Sequence, residues 1–207
     1  MYKMPHFTEP DRDKVLAFMR AHSFVTLIAN DGHRSEATQV PVLFDERDGR
    51  LMLSAHIMRK TGHYLAIGQN PDVLVLFTGP HCYISSGWYT EAMGATWNYQ
   101  TVHVRGRVTF TDEAGTINIL NRLTEKYERE QQQPLLMPDL PAGYVNAHVK
   151  AIAGLEIEVT DIYPIFKLSQ NRDDESYKNI VAQLLKTSDP QAHQIAEEMK
   201  QRRPELF

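Results

Sequence analysis

The feature that most restricts this chain is a series of strand-like segments joined by links too short to hold helices. "TVHVRGRVTF", residues 101–110, sets Val102, Val104, Val108 and Phe110 on one phase and Thr101, His103, Arg105, Arg107 and Thr109 on the other. That two-residue period belongs to a half-buried strand. "SFVTLIAN" and "DVLVLFTG" read as buried strands, and "RSEATQVPVLFDERDGRLMLSAH" as two strands joined around Asp48-Gly49, a dipeptide suited to tight hairpins. Pro41 lies in the first of these, which points to an edge or a bulge. The second strand is expected to end at Ser54. Leu155, Ile157 and Val159 alternate in turn with Glu156, Glu158 and Thr160.

Helical spacing is confined to the margins and one insertion. Val15, Leu16 and Met19 follow a possible Asp11 N-cap, Ile117, Leu120, Leu123 and Tyr127 share a face, and two helices close the chain. "QQQPLLMPDLPAG", with three prolines, is expected to be an irregular loop. Alternating βα units are missing, so a doubly wound parallel sheet does not fit. The expected fold class is α+β: a predominantly antiparallel barrel of six to seven strands, with peripheral helices at both termini and one inserted helix. Residues 1–172 are expected to form the barrel domain, and residues 173–207 a helical extension packed on it.

The chain has 207 residues, a net charge of −4 and a single cysteine, Cys82. An internal disulfide is therefore impossible, and an oxidising compartment is not indicated. No apolar run reaches the roughly 18 residues of a membrane span. The expectation is a soluble, cytoplasmic protein without a membrane partner. The mixed charge weighs against nucleic-acid binding. Cys82, with no basic cluster beside it, reads as a buried spectator thiol. His56 and His63 would share a face if the segment were helical, but a surface face explains such a pair far more often than a metal does, and no metal site is expected.

Two stretches carry chemistry. In "LMLSAHIMRKTGHYLAIGQNP" a strand hydroxyl, Ser54, precedes the basic pair Arg59 and Lys60 and then a short helical segment. A hydroxyl, two cations and a helix N-terminus are the parts of a phosphate cradle; a solvated basic turn would look the same. Tyr83, Trp88, Tyr89, Trp97 and Tyr99 then cluster within 17 residues, interleaved with Ser85, Ser86, Thr96, Asn98 and Thr101. Aromatics also build cores and interfaces, but a flat heteroaromatic ring with polar edges would use both residue kinds. Cradle and ring site together suggest a phosphorylated aromatic cofactor such as FMN.

"MYKMPHF", "GPHCYISSGWY", "TWNYQTVHVRG" and "FKLSQNR" occur in that order and resemble the signatures of the PaiB-like family, the FMN-binding negative transcriptional regulators. The resemblance implies an FMN-binding split β-barrel and a homodimer with flavin held between subunits. By that resemblance Ser54, Arg59 and Lys60 would hold the phosphate, and Thr38, Gln39, Val40 and Pro41 would run along the ring. Thr101 would offer a polar side chain, and Trp97, Asn98, Lys167, Gln170 and Asn171 would contribute across the subunit seam. Gln39 stands where relatives often carry histidine, "IMRKTGH" where they commonly read "AR-x-NP", and "YISS" where many have "YISP". DNA as a partner is implied by the resemblance alone.

The residues leave regulator and catalyst open. An FMN-dependent oxidoreductase or flavin reductase would draw its acid or base from His56, His103 or Tyr99, and its catalytic residues cannot be named. A haem-binding relative with a histidine axial ligand is the third reading, and the basic pair suits it less well.

Overall fold

The computed structural model describes residues 4–207; the first three residues of "MYKMPHF" lie outside them. Seven strands form one antiparallel sheet in the order β2-β1-β5-β6-β7-β4-β3. They are β1 (Phe24–Asn30), β2 (Ser35–Pro41), β3 (Leu43–Arg47), β4 (Arg50–Met58), β5 (Asp72–Ile84), β6 (Thr96–Phe110) and β7 (Ile152–Lys167). β2 and β3 are consecutive in the chain, separated only by Val42, yet stand at opposite ends of the strand order. The sheet must therefore curl back on itself, which is the split-barrel arrangement. Pro41, which has no N–H to donate, ends edge strand β2 as expected.

The hairpin at Asp48-Gly49 forms as its sequence requires. Both residues have positive φ, 51° and 73°, and Arg47 pairs with Arg50 across the turn. By contrast, β4 does not end at Ser54. Its pairing with β7 continues from Met52↔Glu158 to Met58↔Ile152, which makes Ser54 a mid-strand residue.

The helices are α1 (Arg12–Ala21), α2 (Gly62–Gln69), α3 (Glu113–Glu128), α4 (Ala142–Ala151), α5 (Asp174–Leu184) and α6 (Pro190–Arg202). Two of them, α3 and α4, lie between β6 and β7 where one was expected. Only Val149 of α4 is buried, so this helix lacks the apolar face that would have announced it. Among the described residues no helix is long and apolar enough to cross a membrane.

The chain divides into two compact units, and β5, β6 and β7 contribute residues to both. One unit holds residues 20–77 and 103–162. Its core is the inward phase of the strands: Leu27, Leu53, Ala55, Val75, Phe77, Val104, Leu155 and Ile157 are at most 1% exposed. The other unit holds residues 1–19, 78–102 and 163–207. There α5 and α6 bury Tyr177, Ile180, Leu184, Ile195 and Met199, and the Tyr177 hydroxyl donates to the Met199 carbonyl at 2.8 Å.

Candidate functional site

In the first unit, the chain turns sharply between β4 and α2. The Arg59 N–H donates to the Ala151 carbonyl at 2.8 Å, extending the strand pairing, and Lys60 then takes φ 61°. That left-handed conformation reverses the chain. Thr61 caps the helix: its hydroxyl donates to the Met58 carbonyl at 3.0 Å and accepts from the Tyr64 N–H at 3.2 Å. The turn thus sets the first amides of α2, with their partial positive charge, beside two basic residues.

The two basic residues have different roles. Arg59 lies back on the protein, its Nε donating to the Ile152 carbonyl at 2.6 Å and its guanidinium 5.8 Å from the Tyr64 ring centroid. It fixes the turn. Lys60 is exposed and forms no ion pair or hydrogen bond among the described residues, so its ammonium is available to an anion.

β2 supplies the adjoining wall. Thr38 Oγ1 lies 2.7 Å from His63 Nδ1, while His63 Nε2 is buried without a partner. Val40 is buried, Pro41 is partly buried and Gln39 is exposed, following the alternation of the strand. The Glu36 carboxylate lies against Gly62 at the start of α2, and Arg34 Nε pairs with it at 3.0 Å. Thr61, His63 and Glu36 were not among the residues expected in the cradle. Thr61 was legible as an N-cap ahead of Gly-His-Tyr, but the other two depend on the packing of α2 against β2.

Ser54 is withdrawn from this cradle, contrary to expectation. Directly opposed residues share a face of a sheet, and Ser54 is opposite Leu43 while His56 is opposite Gly154. Leu43 forms a buried cluster with Ile119 and Leu123 of α3, and Gly154 receives Thr111 and Thr116. Ser54 and His56 therefore face α3. Ser54 Oγ and His56 Nδ1 are both buried there without partners.

Burial pushes the His63 imidazole below its ordinary value, with the Glu36 charge opposing the shift. Burial lowers His56 and His103 as well. Unfolded histidine takes up its proton as pH falls through about 6.5, before the folded side chains do. The unfolded chain then binds more protons, so stability falls on acidification. Thermal melts from pH 7.5 to 5 should show a falling midpoint, and His63→Gln should flatten that slope. A slope the variant leaves unchanged would count against a neutral, buried His63.

The second unit carries the remaining expected residues. Trp97 is 53% exposed, with ring centroids of Tyr83 and His81 at 6.0 and 6.1 Å. Thr78, His81, Trp97, Tyr99 and Thr101 line part of an open groove of about 340 Å³, near the lower end of small-molecule sites. Asn98 faces the other way. It is fully buried, accepting from Ser169 Oγ at 3.0 Å and donating to Met199 Sδ at 3.5 Å. The alternation that exposes Trp97 turns Asn98 inward, so Asn98 braces the fold and offers no surface to a ligand.

Lys167 Nζ donates to Thr96 Oγ1, and burial, reinforced by Arg172, lowers its pKa. Gln170 is bound to the preceding backbone: its Oε1 accepts from the Leu168 N–H at 2.7 Å and its Nε2 donates to the Phe166 carbonyl at 2.6 Å. Asn171 is exposed. Cys82 is buried, and burial pushes its thiol up to about 12, as expected of a spectator.

An available ammonium, a helix N-terminus and a buried imidazole nitrogen without a partner fit a phosphate monoester. The exposed tryptophan and its groove fit the face of a flat ring. The fold and the anion-fitting turn are compatible with a flavin-binding split-barrel protein. Comparison with known families agrees: residues 1–161 match the family described as "Putative FMN-binding domain". The chain is also 33% identical over 200 residues to "Protease synthase and sporulation protein PAI 2" of Bacillus subtilis, covering 97% of each chain. It belongs to the PaiB-like FMN-binding family.

Solved structures show the same fold at low identity. The flavocytochrome Anf3 of Azotobacter vinelandii matches with a TM-score of 0.57 at 14% identity, over 80% of this chain and 72% of that one. The FAD and heme binding protein of Mycobacterium smegmatis matches with a TM-score of 0.57 at 11% identity, over 84% and 79%.

Proposed function

We propose that this chain is a cytoplasmic, homodimeric FMN-binding regulator whose flavin lies at the subunit interface. The observation that carries the flavin site is Lys60, an uncommitted ammonium fixed in a left-handed turn at the N-terminus of α2. Lys60, the first amides of α2, Thr38 and His63 would hold the phosphate. The exposed side of β2, with Gln39 and Pro41, would carry the ring. The partner subunit's Trp97 would close over it, which would account for a large aromatic left half-exposed. Bound FMN would supply hydride or electron transfer chemistry. The chain's own residues would bind the flavin, orient it and exclude water.

The regulatory half of the proposal rests on the near full-length similarity to the Bacillus subtilis protein named for protease synthesis and sporulation. Titration with FMN, followed by tryptophan fluorescence, should quench emission and saturate at one flavin per chain. Light scattering should give twice the chain mass. A silent titration would overturn the flavin site, and a monomer binding FMN would overturn the interface. FMN-dependent NAD(P)H oxidation without any salt-sensitive shift of DNA fragments would replace the regulator by an oxidoreductase.

A further inference from the structure

We propose that Glu36 is a carboxylate gate on the cradle: it occupies the ground that the FMN phosphate must take and so sets the preference between phosphorylated and unphosphorylated flavin. This rests on the flavin reading above. Gly62 is the first residue of α2, and a Cβ built on it would lie 2.7 Å from Glu36 Oε1 and 2.9 Å from its carboxyl carbon. Only the missing side chain of Gly62 lets the carboxylate approach so closely. A negative charge is favoured there by the helix dipole. Arg34, at 3.0 Å, anchors it from the other side. The charge also reaches His63, one position further along the helix.

The charged groups that face Glu36 among the described residues are Arg34, which also interacts with Asp31, and His63; Arg59 and Lys60 precede Gly62 in the turn. An incoming phosphate carries nearly two negative charges at neutral pH and would come to the same helix start, where Glu36 lies against Gly62 and the Lys60 ammonium is unpaired. Either Glu36 swings away or the two anions repel. Riboflavin presents the same ring without the phosphate, so the gate does not act on it.

The test is a pair of flavin-fluorescence titrations, with FMN and with riboflavin, on the full chain and on Glu36→Gln. Relieving the repulsion should tighten FMN binding by roughly tenfold and leave riboflavin within about twofold. Glu36→Ala, which removes the carboxylate altogether, should act in the same direction if the glutamine variant folds poorly. FMN affinity that is unchanged or weakened, or that moves in step with riboflavin, overturns the gate and leaves the flavin site standing. No binding of either flavin to any of the proteins overturns the flavin site and the gate with it.

Discussion

Lys60→Ala is expected to weaken FMN binding by ten- to a hundredfold while leaving riboflavin almost untouched. A hydrogen bond to a charged group contributes about 1.5–3 kcal/mol, and Lys60 is the basic residue of the turn with no other commitment. Arg59 cannot replace it, because its Nε is held by the Ile152 carbonyl. Alanine keeps the left-handed strain that lysine already bears, so a control that relieves it is needed to separate backbone from charge. Lys60→Gly separates the two effects, since glycine accepts φ 61° freely. It should lose FMN as the alanine variant does, yet melt no lower than the parent. If both variants retain FMN affinity, the phosphate lies elsewhere.

The second large effect concerns folding. Gly154→Ala should destabilise the protein by about 2–3 kcal/mol, the upper range for overpacking a filled site. A Cβ there would collide with Thr111 Oγ1 and stand 2.8 Å from Thr116 Oγ1 and 3.0 Å from the Thr116 Cα. Thr116 cannot easily yield. Its hydroxyl accepts from the Gly154 N–H at 3.1 Å and donates to the Asp112 carbonyl at 2.9 Å. Thermal or urea unfolding measures the cost. A midpoint within about 2 °C of the parent would mean that α3 shifts off β7 far more readily than these contacts imply.

Much of the barrel was legible because its signals are local. The Asp48-Gly49 turn and the alternation of β6 each depend on a few neighbouring residues, and both formed as read. The extent of β4 was not legible, because its last pairs are made with β7 and no signal near Ser54 announces them. α4 was invisible because it buries one side chain. The basic pair was recognisable as chemistry, but its division of labour was not. Which cation anchors the turn and which faces outward depends on where the Ile152 carbonyl and the Tyr64 ring lie. Asn98 shows the same limit in reverse: beside two aromatics it looks like part of a binding surface, yet the strand turns it into the core.

The curl that places β2 and β3 at opposite ends of one sheet also dictates an order of events during synthesis. β3 and β4 can pair as soon as they leave the ribosome, but the far side of β4 is completed only by a strand roughly 100 residues later, and such distant pairing is slow. Until then the nascent chain carries an open β4 edge with Leu53, Ala55 and Ile57, all destined for the interior. For that interval the edge is open to pairing with another copy, so slow folding and high concentration are the conditions under which this chain is most exposed to aggregation.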